Sequence, residues 1–187
     1  MEREVKDRTI LDEIARDFAR VVEKHAKYAI VSGFVVITHG RSRGTEDIDI
    51  IIERIPKDTF VRLHEDLTKS GFKCLQSSDS GELYEEYLSK NTSIRYVREG
   101  THIPEIEFKL SKDTLDEYQL KTRKKLPLTG LDVYFSTIEM NVAFKEELLK
   151  SDKDMEDAKH LRIVYEGKIN EEEIEKIKHM IRELRME

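Results

Sequence analysis

Apolar positions recur along this chain at two periods, and the change from one to the other marks out its elements. Residues 2–26 carry Ile10, Leu11, Ile14, Phe18, Val21 and Val22 at helical spacing, which predicts an amphipathic helix. A short apolar run, Ala29 to Val31, follows within a predicted strand at 28–32 and ends in Ser32-Gly33. Positions 33–40 are ambiguous, because Val35, Val36, Ile37 and Thr38 are β-branched and suit a strand on local propensity. A second strand is predicted at 47–53, where Asp47 and Asp49 precede Ile50, Ile51 and Ile52.

Further along, Pro56 opens a helix over 57–70 that carries Phe60, Leu63 and Leu67 and stops at Gly71. Short strands are predicted at 72–75, 93–98 and 104–110. The last alternates, with Ile106, Phe108 and Leu110 on one side and Glu105, Glu107 and Lys109 on the other. Residues 82–89 read as a helical turn or an irregular loop, 113–120 as a short helix, and 131–135 as a final strand. Beyond Ser136 the pattern is helical, at 137–149, 152–166 and 171–185. The expected fold class is α/β (α+β), a mixed β-sheet flanked by helices. Residues 1–135 would form the core, and 136–187 a C-terminal helical portion packed on it.

Composition narrows the classes. At 187 residues the chain can bury a real core. A net charge of −6 excludes a molecule that binds nucleic acid through its overall charge, so such a ligand would need a local basic patch. One cysteine, Cys74, excludes a disulfide framework and a cysteine-rich zinc site, and its apolar surroundings suggest core. No run approaches the ~20 apolar residues of a membrane span, and the N-terminus lacks a signal-peptide pattern. A cytoplasmic protein without a membrane partner is expected. Charged residues at 39% with few Asn and Gln resemble a thermophile's composition, which bears on source and not on activity.

The candidate chemistry lies between residues 28 and 53. Asp47 and Asp49, two apart on a strand, share a face roughly 6–7 Å apart at their Cα atoms. Carboxylates that close repel unless a cation or hydrogen-bond donors lie between them, and hard oxygen ligands suit Mg²⁺. An edge strand with solvated aspartates would show the same pattern. Ser32-Gly33 gives a small turn where backbone approaches a phosphate, and Arg41, Arg43 and Thr45 could hold an anionic ligand.

Ser32-Gly33 followed by Arg43-x-Thr45-x-Asp47-x-Asp49 resembles the active-site signature of the polymerase-β-type nucleotidyltransferase superfamily. The form is nearest to the branch of abortive-infection toxin nucleotidyltransferases and their archaeal relatives. The turn departs from the commoner Gly-Ser or Gly-Gly. The resemblance covers residues 28–110 and, more faintly, 136–160. It implies a short helix over 33–40 and a Mg²⁺-dependent transfer of a nucleoside monophosphate from an NTP to an acceptor such as RNA, protein or a small molecule. Two metal ions are implied. They would be held by Asp47, Asp49 and a third acid from a neighbouring strand, Glu107 in preference to Glu105. It also implies that Lys145 contacts phosphates and that Asp154 or Asp157, in Lys153-Asp154-x-x-Asp157, orients the nucleotide or a metal.

Plainer readings stand beside these. Ser136-Thr-Ile-Glu139 has the form of a capping box, Ser151 can cap the next helix, and Lys153 can pair with Asp157 at i+4. Lys121, Arg123, Lys124 and Lys125 could hold a polynucleotide or form an exposed loop. His39 has no assigned role, and His160 and His179 suit a helix surface. A non-catalytic nucleotide- or partner-binding protein on the same fold is the alternative function. A glycosyltransferase or an aspartate phosphatase fits less well, since the phosphatase motif expects Thr or Val where Ile51 stands.

Overall fold

The computed structural model describes residues 9–42 and 47–186. Among the described residues seven strands form one mixed sheet, whose spatial order begins with β3 (Phe72–Cys74), β4 (Ile94–Arg98) and β5 (Glu105–Leu110). It continues through β2 (Asp47–Ile52), β1 (Tyr28–Val31), β7 (Tyr134–Phe135) and β6 (Lys124–Lys125). β2 runs parallel to β5, and β1 parallel to β7; the remaining pairs are antiparallel.

Alternation along the strands gives the sheet two unlike faces. One carries Ile30, Ile48, Ile50, Ile52, Ile106, Phe108 and Leu110, all buried, and packs on α1 (Ile10–Glu23) and α3 (Lys57–Lys69). Phe18 of α1 lies 5.0 Å from the Phe72 ring and 5.4 Å from Tyr96; Phe60 of α3 lies 5.9 Å from Phe108. The other face carries Asp47, Asp49, Glu105, Glu107 and Lys109. Its apolar portion is small: Ala29, Val31 and Ile51, covered by Leu120 of a helix at Thr114–Thr122. The larger apolar layer therefore lies on one side of the sheet, and the acidic side chains gather on the other.

Residues 2–8 of the first expected helix lie outside the described residues, and α1 opens at Ile10. Thr9 is extended and caps it, with its hydroxyl accepting from the Asp12 N–H and the Asp12 carboxylate accepting from the Thr9 N–H. Residues 33–38 form α2 (Gly33–Thr38) and not a strand. Phe34, Val35 and Val36 are fully buried there, so tertiary packing overrides the β-branched propensity. Residues 80–90 coil as α4 (Ser80–Glu82), then a wide turn and a tight one, with Asp79 accepting from the Glu82 N–H.

The helix at Thr114–Thr122 is α5. The basic segment after it is no free loop: Lys124 and Lys125 pair with Phe135 and Tyr134. The strand expected over 131–135 is confined to its last two residues. In the C-terminal part α6 (Ile138–Ala143) widens into π-type turns through Leu149, followed by α7 (Asp152–Val164) and α8 (Glu171–Arg185). Thr137, not Ser136, caps α6, and Glu139 accepts from the Asn170 N–H instead of closing a capping box. Ile174, Ile177 and Ile181 bury one face of α8, and its Arg185 reaches Asp113 and Asp116 at 2.6 and 3.0 Å.

Candidate active site

The parallel register of β2 and β5 sets Asp49 beside Glu107 and Asp47 beside Glu105. All four side chains rise from the polar face. Arg95 on β4 separates the two glutamates in role: its guanidinium binds Glu105 at 2.5 Å and stands 3.8 Å from Glu107. Glu105 is thus committed to an ion pair, whereas Glu107 faces Asp49.

Asp49 registers the crowding. Burial, then the charge of Glu107 and the hydrogen bond between the two carboxyls, push its pKa from 3.8 to about 6, against a downward pull from Lys109. Two abutting carboxyl groups in a dry setting require a shared proton or a cation. Among the described residues no three His, Cys, Asp or Glu side chains converge into a closed metal cage. An open pair of hard oxygen donors with a third carboxylate, Asp47, along the same strand face fits a divalent cation that keeps waters and substrate oxygens as its other ligands.

A cavity of about 270 Å³ opens over this pair. Ser32, Asp49, Glu107 and Lys145 line it, together with Lys109, Gln119 and Asn141. Ser32 stands at the end of β1, where Val31 pairs with Asp49. Its φ of 67° and ψ of −138° lie outside the region that L-residues favour. Its N–H donates to Asn141 Oδ1 at 3.2 Å. Asn141 is fixed in turn, its amide donating to Ser136 Oγ at 2.8 Å and to the Thr137 carbonyl at 2.8 Å. The Ser32 turn is therefore held from α6.

Lys145 lies in the π-type segment that continues α6, a local widening that re-aims side chains. It is almost wholly buried, with Nζ 3.0 Å from Asp157 and 3.5 Å from Asp154. Asp157, fully buried, also accepts from Arg41 Nε at 2.6 Å, and a second Arg41 nitrogen reaches Glu156 at 2.8 Å. Arg41, Asp154 and Asp157 stand outside the cavity wall and brace Lys145 from behind. Ser151 caps α7 as its sequence suggests, and Asp157 pairs with Lys145 and Arg41.

Arg43 and Thr45 lie outside the described residues. Gly33 opens α2 beside Ser32. His39 is buried, bonded through Nδ1 to the Val35 carbonyl at 2.6 Å and through Nε2 to the Tyr165 hydroxyl at 2.7 Å, a packing role. Lys109, Asn141 and Gln119 were not singled out by sequence. Lys109 shares the alternation of Glu107, which is a usable signal; Asn141 and Gln119 carry none.

No family model and no curated protein matches the chain. Solved structures with the same fold include the solution structure of the antibiotic-resistance factor ANT(2'')-Ia. It is 13% identical over 92% of this chain and 91% of that one, with a TM-score of 0.55. A crystal structure of ANT(2'')-Ia in complex with adenylyl-2''-tobramycin is 14% identical over 94% and 98%, again with a TM-score of 0.55. The mixed sheet with its flanking helices is accordingly the nucleotidyltransferase fold that the Asp-x-Asp motif implied.

Proposed function

We propose that this protein transfers a nucleoside monophosphate from an NTP to an acceptor hydroxyl, using Mg²⁺. The observation that carries the reading is the β2–β5 register, which lays Glu107 against Asp49 on the floor of a cavity that Ser32 and Lys145 also line. A same-fold protein in complex with an adenylylated aminoglycoside supports the reaction class. The abortive-infection branch rests on the sequence motif alone.

Asp49, Glu107 and Asp47 would hold the metal. When bound, Mg²⁺ supplies charge for the attacking oxygen and the departing pyrophosphate. The rest falls to the chain itself. The Ser32-Gly33 turn lies one strand from Asp49 and receives the triphosphate. Lys145 has three ammonium protons, of which Asp157 and Asp154 engage two, leaving one for a phosphate oxygen. Leu148, Phe144 and Met140 give the cavity an apolar wall that excludes water from the α-phosphorus.

The test is label transfer from α-labelled NTPs with Mg²⁺ to RNA, to the protein itself and to aminoglycosides. Asp49→Asn and Glu107→Gln should each lower transfer by more than the roughly 100-fold that loss of a supporting outer contact produces. Glu105→Gln should retain activity within about tenfold, since Glu105 is tied to Arg95. Binding of NTP without transfer, indifferent to Asp49→Asn and Glu107→Gln, would return the protein to the non-catalytic class.

A further inference from the structure

A second hollow lies at the other end of the same sheet face. It occupies about 580 Å³ between α5 and the far ends of β1, β2 and β5. Glu53 continues the alternation of Asp49 and Ile51, so the hollow begins about 13 Å from the acid pair along β2. Four cationic side chains line it, Lys27, Arg54, Lys121 and Arg123, against two acids, Glu53 and Glu117.

None of these four cations has a carboxylate partner among the described residues, although ion pairs are numerous elsewhere in the molecule. The two arginines are nevertheless held in place, by neutral acceptors. Arg54 donates through Nε to the Ser111 carbonyl at 3.1 Å and through a second nitrogen to Asn91 at 2.5 Å. Arg123 donates to the Tyr28 carbonyl at 2.9 Å, with its guanidinium 4.0 Å above the Tyr134 ring. Carbonyl and ring contacts orient a guanidinium without neutralising it, and each fork keeps nitrogens for an anion. In a chain of net charge −6, two fixed arginines flanked by two lysines outnumber Glu53 and Glu117 in the lining, so the hollow is a local reversal of the overall charge.

We propose that this hollow binds the phosphodiester backbone of a nucleic-acid strand, the acceptor whose end enters the Asp49–Glu107 cavity. With about 580 Å³ and four cations in its lining, the hollow has room and charge for more than one phosphate group, which suits successive phosphates of a strand. The naming of the acceptor rests on the transferase reading; the phosphate site itself does not. Lys125, by contrast, is paired with Asp132 at 2.7 Å, so the site is not the linear basic run of residues 121–125.

The experiment measures fluorescence anisotropy of a labelled twelve-nucleotide oligoribonucleotide with the full chain, in EDTA and without NTP, from 20 to 200 mM salt. Four contacts predict a log–log salt slope of about −3, from roughly −0.7 per phosphate on a single strand. Lys121→Glu with Arg54→Glu should weaken binding at least about tenfold and halve that slope, with an unchanged thermal midpoint. Unaltered affinity in this folded double variant overturns the site. Inorganic phosphate competing as well as the oligonucleotide, phosphate for phosphate, overturns the nucleic-acid assignment. Oligonucleotide binding lost in the variant, alongside no transfer to any acceptor, upholds the site and removes the transferase reading. Transfer to an aminoglycoside with no oligonucleotide binding does the reverse.

Discussion

Ser32 occupies a backbone conformation that glycine would adopt more readily, and a glycine follows it one position too late to help. The strain of such a residue is of order 1–3 kcal/mol, and the Asn141 contact to its N–H holds the conformation in place. Ser32→Gly should therefore raise the unfolding free energy by about 1 kcal/mol, read from urea melts. A loss of stability would show that the hydroxyl, and not the backbone, sets the turn. A second residue-scale expectation concerns Asp157, which joins Lys145 to Arg41. Asp157→Ala leaves the Lys145 ammonium buried with a single carboxylate 3.5 Å away, and should cost about 3–5 kcal/mol. A melt within 1 kcal/mol of wild type would refute the bracing role. Asp157 was visible in sequence only through the family resemblance, because its partners Arg41 and Lys145 lie 116 and 12 positions away on other elements. The capping box read into Ser136 to Glu139 went astray for a local reason: Thr137, the next hydroxyl along, takes the cap.

At the scale of elements, periodicity exposed the strands that matter. Alternation in 104–110 put Glu107 and Glu105 on one face, which the structure keeps, but alternation alone could not rank them. That ranking comes from a neighbour, Arg95 on β4, whose pairing across β5 no linear pattern displays. Residues 33–38 show the opposite failure of local reading. Their β-branched content favours a strand, yet burying Phe34, Val35 and Val36 against the core selects a helix. The π-type widening after α6, in which Lys145 is buried, was equally illegible. Asn141 makes the coupling between α6 and the β1 turn testable. Asn141→Leu should disorder the Ser32 turn and raise the KM for NTP, with little change in a Mg²⁺-only titration followed by calorimetry. An unaltered KM would assign Asn141 to packing alone.

At the scale of the whole molecule, His39 and Glu146 are among the groups whose protonation contributes to acid sensitivity. His39 is buried, and burial lowers its pKa below the ordinary 6.5, more than the Val35 carbonyl restores it. The unfolded chain therefore binds this proton first, so stability is complete above about 6.5 and declines as pH falls towards the lower folded value. Glu146 acts in a more acidic range. Burial pushes its carboxyl up, but hydrogen bonds from Arg162 at 2.7 Å and contact with Lys178 at 2.8 Å outweigh that and hold it below 4.5. Its contribution is present above about 4.5 and is lost as pH drops through its folded value. Urea midpoints of Glu146→Gln should therefore lose less than those of the wild type as pH drops below 4.5. Equal losses in the two proteins over that range would contradict this.

The parallel pairing of β2 with β5 has a further consequence for how the gene can change. A strand displaced by one position exchanges its two sides, so an extra residue placed between Pro104 and Glu107 would bring Ile106 or Phe108 over the cavity and sink the acid into the oily layer beneath. Additions to the bend at 99–102 would leave the pairing alone. Evolution of this chain is therefore free in length at that bend and frozen in length a few codons later.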